Sequence, residues 1–298
     1  MNVYEIITDK IITQLEQGTV PWRQPWNAGH HAPRSFDGRR YTGINVFLLI
    51  ISRLQQGFDS PYWLTYKRAQ QAGGNVRKGE TSTVIIFWKR VEVTEVDQAT
   101  GGPTRKIVPM LRYYRVFNFD QCEGIEAPAP SDAADNDHVD NVTAEEITER
   151  YLANGGPTVS EDGTEAYYRP SADHVTLPPR RTFDTPELFY CTRFHELTHS
   201  TNHPSRLDRK YPNQSGFGSH GYGREELVAE MGAAFLAAEA SISETLPSHA
   251  AYCRAWIRTI KEDSRAVVVA AGAAQKAADL ILGRTVEHEQ HEPALVAA

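Results

Sequence analysis

Cysteine is scarce in this sequence: Cys122, Cys191 and Cys253 are the three in 298 residues, and none stands in CxxC spacing. That excludes a disulfide framework and a zinc ribbon, and leaves ordinary buried thiols as the expectation. Apolar runs of the roughly 18 to 20 residues needed to span a bilayer are missing too. The opening stretch MNVYEIITDKIITQLEQG mixes charges into an amphipathic pattern unlike a secretory signal, so a cytoplasmic protein without membrane association is expected. No GxxxxGK[ST] string occurs, and ATP use is not indicated. Residues 123–146 lack Lys and Arg while holding eight acidic residues and few large apolar ones. Such a stretch cannot bury enough surface to fold alone, and residues 126–146 are read as an acidic linker.

What is present is a globular composition, 40% hydrophobic and 23% charged, on a chain long enough for two cores. The net charge of −7 conceals a division. Residues 1–120 carry 16 Lys+Arg against 10 Asp+Glu, while residues 121–298 carry 15 against 28. Opposite polarity implies two jobs. The expected organisation is a basic unit over residues 1–125, the linker, an acidic unit over 147–285, and a disordered tail over 286–298.

Hydrophobic spacing sharpens this into an α+β expectation for both units. Val3, Ile6, Ile7, Ile11 and Leu15 recur at helical spacing up to Gly18, and NVFLLIISRLQQG gives a buried helix ending at Gly57. WLTYKRAQQAGG reads as another short helix. TSTVIIFWKRVEV and KIVPMLRYYRVFNF, separated by the turn-rich QATGGPTR, read as an antiparallel hairpin. Further on come a short edge strand over residues 173–177, a helix entered through Thr185-Pro186, a helix over 222–240, and an Ala-rich helix or pair over 248–282. The second unit is therefore mainly helical.

The strongest chemical signal is His195-Glu196-Leu197-Thr198-His199 on the helix that follows Thr185. Residues four apart share a helical face, so both imidazoles can reach one Zn²⁺, while Glu196 lies to the side as the candidate general base. A catalytic site needs a third ligand. Glu226 and Glu230, again four apart, sit on the next helix beside small Ala229, Gly232 and Ala233, which permit close helix approach. Glu226 is assigned to the metal and Glu230 to orienting a histidine; Glu225 and His203 are weaker rivals. The N/N/O set also accommodates Mn²⁺ or Co²⁺. Tyr222 is a candidate oxyanion donor that reads more simply as a packing residue, and Arg206 reads as a structural ion-pair residue. The strand at 173–178 is the candidate for aligning an extended substrate by main-chain hydrogen bonds.

In the basic unit, Trp22, Trp26, Trp63 and Trp88 are interleaved with Arg23, Arg34, Arg39 and Arg40, then with Lys67, Arg68, Arg77 and Lys78. Single strands are held by stacking bases on aromatic faces while cations follow the phosphates, so the composition suits single-stranded DNA. The turn GGNVRKGET adds backbone amides beside Arg77 and Lys78 that can hold a phosphate. Core packing of the aromatics is the competing reading at each position.

PWRQPW, YTGIN, YWLTYKRAQQAGGNVRKGE, VIIFW and VFNFDQCEGI, together with FHELTHSTNHPSRLDR, YGREELVAEMGAAFL and AWIRTIKEDSRAVVVAAGAAQKAADLIL, resemble plasmid antirestriction proteins of the ArdC type. The resemblance runs from about residue 2 to 283. It implies a single-stranded-DNA-binding domain joined to a zincin-like metallopeptidase domain, in a conjugation-associated protein that protects incoming plasmid DNA from host restriction. The implied ligands are His195, His199 and Glu226, with Glu196 as the base; Tyr41 and Asn45 of YTGIN join the candidate DNA-contacting residues. Three other readings stay open: a protease acting on host, DNA-bound or crosslinked proteins, a DNA-occupying protein with structural zinc, and an acidic DNA mimic, which the dispersed cations disfavour.

Overall fold

The computed structural model describes residues 2–23, 32–96, 103–126, 128, 144–210, 220–242 and 250–284. In chain order its elements are α1 (Val3–Glu16), β1 (Arg34–Ser35), α2 (Ile44–Gln56), β2 (Tyr62–Leu64), α3 (Tyr66–Gln71), β3 (Asn75–Val76), β4 (Thr83–Val96), β5 (Pro103–Asn118) and β6 (Cys122–Glu123). There follow α4 (Ala144–Ala153), β7 (Thr158–Ser160), β8 (Tyr167–Arg169), β9 (His174–Thr176), α5 (Pro186–Ser200), α6 (His220–Glu239), α7 (Ala250–Glu262) and α8 (Ala266–Ile281). The α+β expectation holds, with strands concentrated first and helices last. Among the described residues no helix is long and apolar enough to cross a membrane.

Local chemistry sets the boundaries. Asn2 and Glu5 form a reciprocal capping box at the start of α1, and Gly57 ends α2 in a left-handed conformation that costs glycine little. Thr185 caps α5 by accepting from the Leu188 amide at 3.2 Å, with Pro186 as the first helical residue. Trp63 and Leu64, expected in a helix, instead lie in β2, because Thr65 is the helix cap and the two apolar side chains point into a core. Ile6 is exposed and Ile12 takes its place on the buried stripe of α1.

The N-terminal sheet has the order β1-β2-β5-β4, with the long β4–β5 hairpin at one side. Its outer strand β4 is closed by a side chain. Asn45 of α2 donates to the Ile86 carbonyl at 2.7 Å and accepts from the Ile86 amide at 2.8 Å, imitating a neighbouring strand.

In the second half, β7-β9-β8 form a small sheet in which β9 is central, parallel to β7 and antiparallel to β8. The expectation of an edge strand at residues 173–178 is therefore corrected: β9 is paired on both sides, and β8 is an edge that packs on α5. α4 begins at Ala144, inside the stretch read as linker, because Ala144, Ile147 and Tyr151 bury and Glu145 pairs with arginines. The rest of that stretch, apart from residues 126 and 128, and the expected tail lie outside the described residues. Cys191 is buried and Cys122 half-buried.

One apolar core crosses both halves. Trp22 meets Trp256 edge-on at 5.4 Å, Phe47 stacks on Phe235 at 5.1 Å, and Ile7, Ile11, Val267 and Ala271 belong to the same cluster. Thr8 of α1 donates to the Ser264 carbonyl at 2.7 Å.

Candidate metal centre

The centre is built where α5 and α6 come closest. A Cβ on Gly232 of α6 would lie 2.5 Å from Cγ2 of Thr198 on α5, so glycine is what permits the approach. Thr198 is itself buried, its hydroxyl donating back to the Phe194 carbonyl at 2.7 Å. Arg193, just ahead of the motif, is buried and ties α5 to Glu145 of α4 at 3.2 Å and to Glu161 at 2.8 Å, with Arg180 bridging the same two carboxylates. The helix carrying the histidines is thus fixed at both its approach to α6 and its outer face.

Across that approach, Nε2 of His195 and Nε2 of His199 are 3.1 Å apart, and the Glu226 carboxylate spans them, Oε2 lying 3.6 Å from the first and Oε1 3.5 Å from the second. Metal–ligand bonds of about 2.0–2.2 Å at tetrahedral angles place ligand atoms roughly 3.3 to 3.5 Å apart. One ligand atom from each of the three residues lies within 4.8 Å of the other two, close enough for small side-chain shifts to close the group on a dication. Glu196, 8% exposed, follows His195 on α5.

Two further carboxylates address the far nitrogens. Glu225 lies 3.5 Å from Nδ1 of His199, and Glu230 lies 3.8 Å from Nδ1 of His195. Burial alone would lower the His195 pKa, but the Glu226 hydrogen bond and the charges of Glu230, Glu196 and Glu226 outweigh it and push it up to about 9. The pocket thus favours a positive charge between these carboxylates, which a proton or a dication can supply. Glu225 is different. Burial would raise it, yet bonds from His199 and Arg209 hold its pKa below the usual carboxylate value. Arg209 grips it at 2.5 and 3.1 Å.

His195, His199 and Glu226 are the group brought together among the described residues. His203 turns to the Ser205 hydroxyl at 2.7 Å, outside that group. Tyr222 stands on α6 with its side chain outside the described residues. Arg206 ion-pairs with Asp173 and donates to the Ser200 carbonyl at 2.8 Å and the Gly155 carbonyl at 3.0 Å, a structural tie as read from the sequence.

The expected DNA-contacting residues are dispersed. Trp22 is 1% and Trp63 0% exposed, so neither offers a face to a base: the expectation of DNA contact is corrected at both, and core packing holds. Asn45, 5% exposed, is spent on the β4 edge. Tyr41 is half-buried against the core, and Arg40 reaches Glu239 of α6 at 3.1 Å. Trp26 and the Arg23 side chain lie outside the described residues.

Arg39, Lys67, Arg77 and Lys78 are exposed. Arg68 pairs with Asp37 at 2.7 Å while lying over Phe36, and Arg77 pairs with Glu80 at 2.9 Å. In GGNVRKGET, Gly74 lets β3 approach β6, since a Cβ there would lie 2.2 Å from the Glu123 carbonyl oxygen. Beside it runs a groove of about 380 Å³ whose lining includes Tyr66, Asn75, Arg77, Lys78 and Phe117 together with the carboxylates Glu80 and Glu123. Tyr66, 45% exposed, was missed; its place just after the Thr65 cap, at the open start of a short helix, is the signal that could have found it.

The fold and this geometry agree with known proteins. Residues 1–117 match the N-terminal domain of anti-restriction factor ArdC, and residues 146–273 match a zincin-like metallopeptidase family. The crystal structure of the antirestriction ArdC protein from plasmid R388, in its metal-free form, superposes with a TM-score of 0.73 at 35% identity, covering 94% of this chain and 97% of that one. The chain belongs to the ArdC antirestriction family. The Mn(II)-bound structure of the same R388 ArdC superposes with a TM-score of 0.75 at 34% identity, over 97% and 100% of the two chains. A DNA primase TraC of Escherichia coli is 37% identical over 94% of this chain, but the match spans 27% of the primase. An uncharacterised protein, y4eC, of Sinorhizobium fredii is 30% identical over 98% of this chain and 95% of its own length. Family membership thus joins the ArdC N-terminal domain and the zincin-like domain in one chain.

Proposed function

We propose that this chain is an antirestriction protein that binds single-stranded DNA through its N-terminal half, protects incoming conjugative plasmid DNA, and hydrolyses peptide bonds at a metal site held by His195, His199 and Glu226. The observation that carries the reading is the convergence of two imidazole Nε2 atoms 3.1 Å apart on the Glu226 carboxylate, whose two oxygens lie 3.5 and 3.6 Å from them, with Glu196 on the histidines' helix. The Mn(II) form of the R388 relative supports a divalent cation in this fold; an N/N/O donor set without thiolate accommodates zinc, manganese or cobalt.

When bound, the dication supplies Lewis-acid activation of water and of the scissile carbonyl. Glu196 takes the proton from the attacking water and returns it to the leaving amine. Glu230 lies 3.8 Å from Nδ1 of His195, on the side of the ring away from the ligand site. β8, exposed along one edge and packed on α5, offers the main-chain groups for an extended substrate in place of β9.

The DNA surface is relocated to the groove beside α3, where Tyr66 offers an aromatic face and Arg77 and Lys78 offer cations, with exposed Lys67 next to Tyr66 in sequence. DNA-bound proteins are the substrates such a tethered site would meet. The relatives named TraC primases are longer, and their priming activity is not carried over.

The test uses the full chain with Zn²⁺, a single-stranded oligonucleotide and denatured casein. Glu196→Gln is expected to keep zinc and DNA affinity and to lose casein cleavage; transfer of unmodified plasmid into a restricting host then reads the need for hydrolysis. Full protection by Glu196→Gln would sink the catalytic account of protection in favour of DNA occupancy with structural metal.

A further inference from the structure

The two histidines are not held alike. Nδ1 of His195 is buried and makes no hydrogen bond among the described residues, with Glu230 at 3.8 Å. Nδ1 of His199 faces Glu225 at 3.5 Å, and both oxygens of Glu225 accept from the Nη2 and Nε edge of the Arg209 guanidinium, at 2.5 and 3.1 Å. Arg209 also donates to the Thr201 hydroxyl at 2.7 Å and the Thr198 carbonyl at 3.3 Å, and its own amide donates to Asn202 at 2.6 Å. Those partners belong to the last turn of α5 and the segment that leaves it.

Removing a guanidinium and a carboxylate from water is expensive, and apolar residues would join a loop to a helix at less cost. What apolar residues cannot do is present a fixed acceptor to an imidazole N–H, which selects the tautomer whose Nε2 lone pair faces the ligand site. Arg209 sits three residues after Arg206, which ion-pairs with Asp173 at the start of β9. One short segment therefore reaches the small sheet with one arginine and the histidine's carboxylate with the next.

We infer that Glu225 and Arg209 are positioning residues: Arg209 fixes Glu225, Glu225 fixes the ring of His199, and the segment after α5 thereby sets how tightly the centre holds its metal. The inference rests on the metal reading proposed above. It assigns Glu225, a rival ligand by sequence, to the far side of a ligand instead.

The experiment is zinc affinity of the full chain, measured by competition with a chromophoric chelator, alongside thermal unfolding of the chelator-stripped protein. Glu225→Ala and Arg209→Met are expected to weaken zinc binding by roughly 10- to 100-fold, and Glu225→Gln, whose amide oxygen still accepts from Nδ1–H, to recover most of the loss. Zinc affinity equal to the parent's in Glu225→Ala, with only the stripped protein's unfolding temperature lowered, would reduce the pair to a structural tie and overturn the inference. Complete loss of zinc in Glu225→Ala and Glu225→Gln, as expected for Glu226→Ala, would make Glu225 a ligand and overturn it also. A parent that takes up no zinc, manganese or cobalt would bring down the metal reading, and with it this one.

Discussion

The α5–α6 pair and the rim of the N-terminal sheet are both rich in charge, and they use it in opposite ways. Around His195 and His199, Glu225 and Glu230 are drawn beneath the surface, each facing one Nδ1, and Glu226 spans both Nε2 atoms. Along the sheet and α3, Arg68 and Arg77 meet carboxylates in the open, where solvent screens the interaction and a pair contributes about 0–1 kcal/mol. Identical residue types thus become chemistry in one place and a solvated rim in the other. Burial decides, because excluding water strengthens every interaction inside.

The sharpest way to break this contrast is His199→Ala. Stoichiometric zinc, measured on dialysed protein, is expected to vanish while affinity for a single-stranded oligonucleotide stays at the parent value; a parallel fall in DNA affinity would mean that the two regions share one function. Next in size is Glu196→Gln, expected to cut casein hydrolysis by about 10²- to 10⁴-fold with zinc retained. A third comparison lies within the sheet region itself. Trp63→Ala should destabilise by about 3–5 kcal/mol in denaturant melts. Tyr66→Ala should shift stability by under about 0.5 kcal/mol yet lose about 1–3 kcal/mol of oligonucleotide binding.

Gly232→Val is expected to cost about 1–3 kcal/mol by overpacking against Thr198 and to weaken zinc binding, since Glu226 and Glu230 ride on the displaced helix. The smallest effect is expected of Lys78→Gln: a sequence-independent weakening of single-strand binding, with the log–log salt slope reduced by about 0.7 if Lys78 meets one phosphate. An unchanged slope would move the DNA path away from this groove.

The features legible in the sequence are those set within one or two turns of chain. The His195–His199 spacing, the Thr185-Pro186 entry, the Gly57 stop and the small residues that let α6 approach α5 are all local periodicity or capping. What was not legible depends on partners remote in sequence. Asn45 answers Ile86, 41 positions away. Trp22 answers Trp256. β9 is central because β7 and β8, three residues each, flank it, and strands so short leave almost no pattern. Of the two glutamates that face the far nitrogens, Glu225 is distinguished by Arg209, on a segment whose path no spacing rule gives.

The core that runs through Trp22, Phe47, Phe235 and Trp256 has a thermodynamic consequence. Apolar side chains from both family segments melt together or not at all, so heating should give one calorimetric transition whose enthalpy belongs to the whole chain. A cation bound only to the folded form then protects everything that unfolds with it. Saturating zinc should slow amide exchange not only in α5 and α6 but in α1 and α2, which end well over 100 residues before α5 begins.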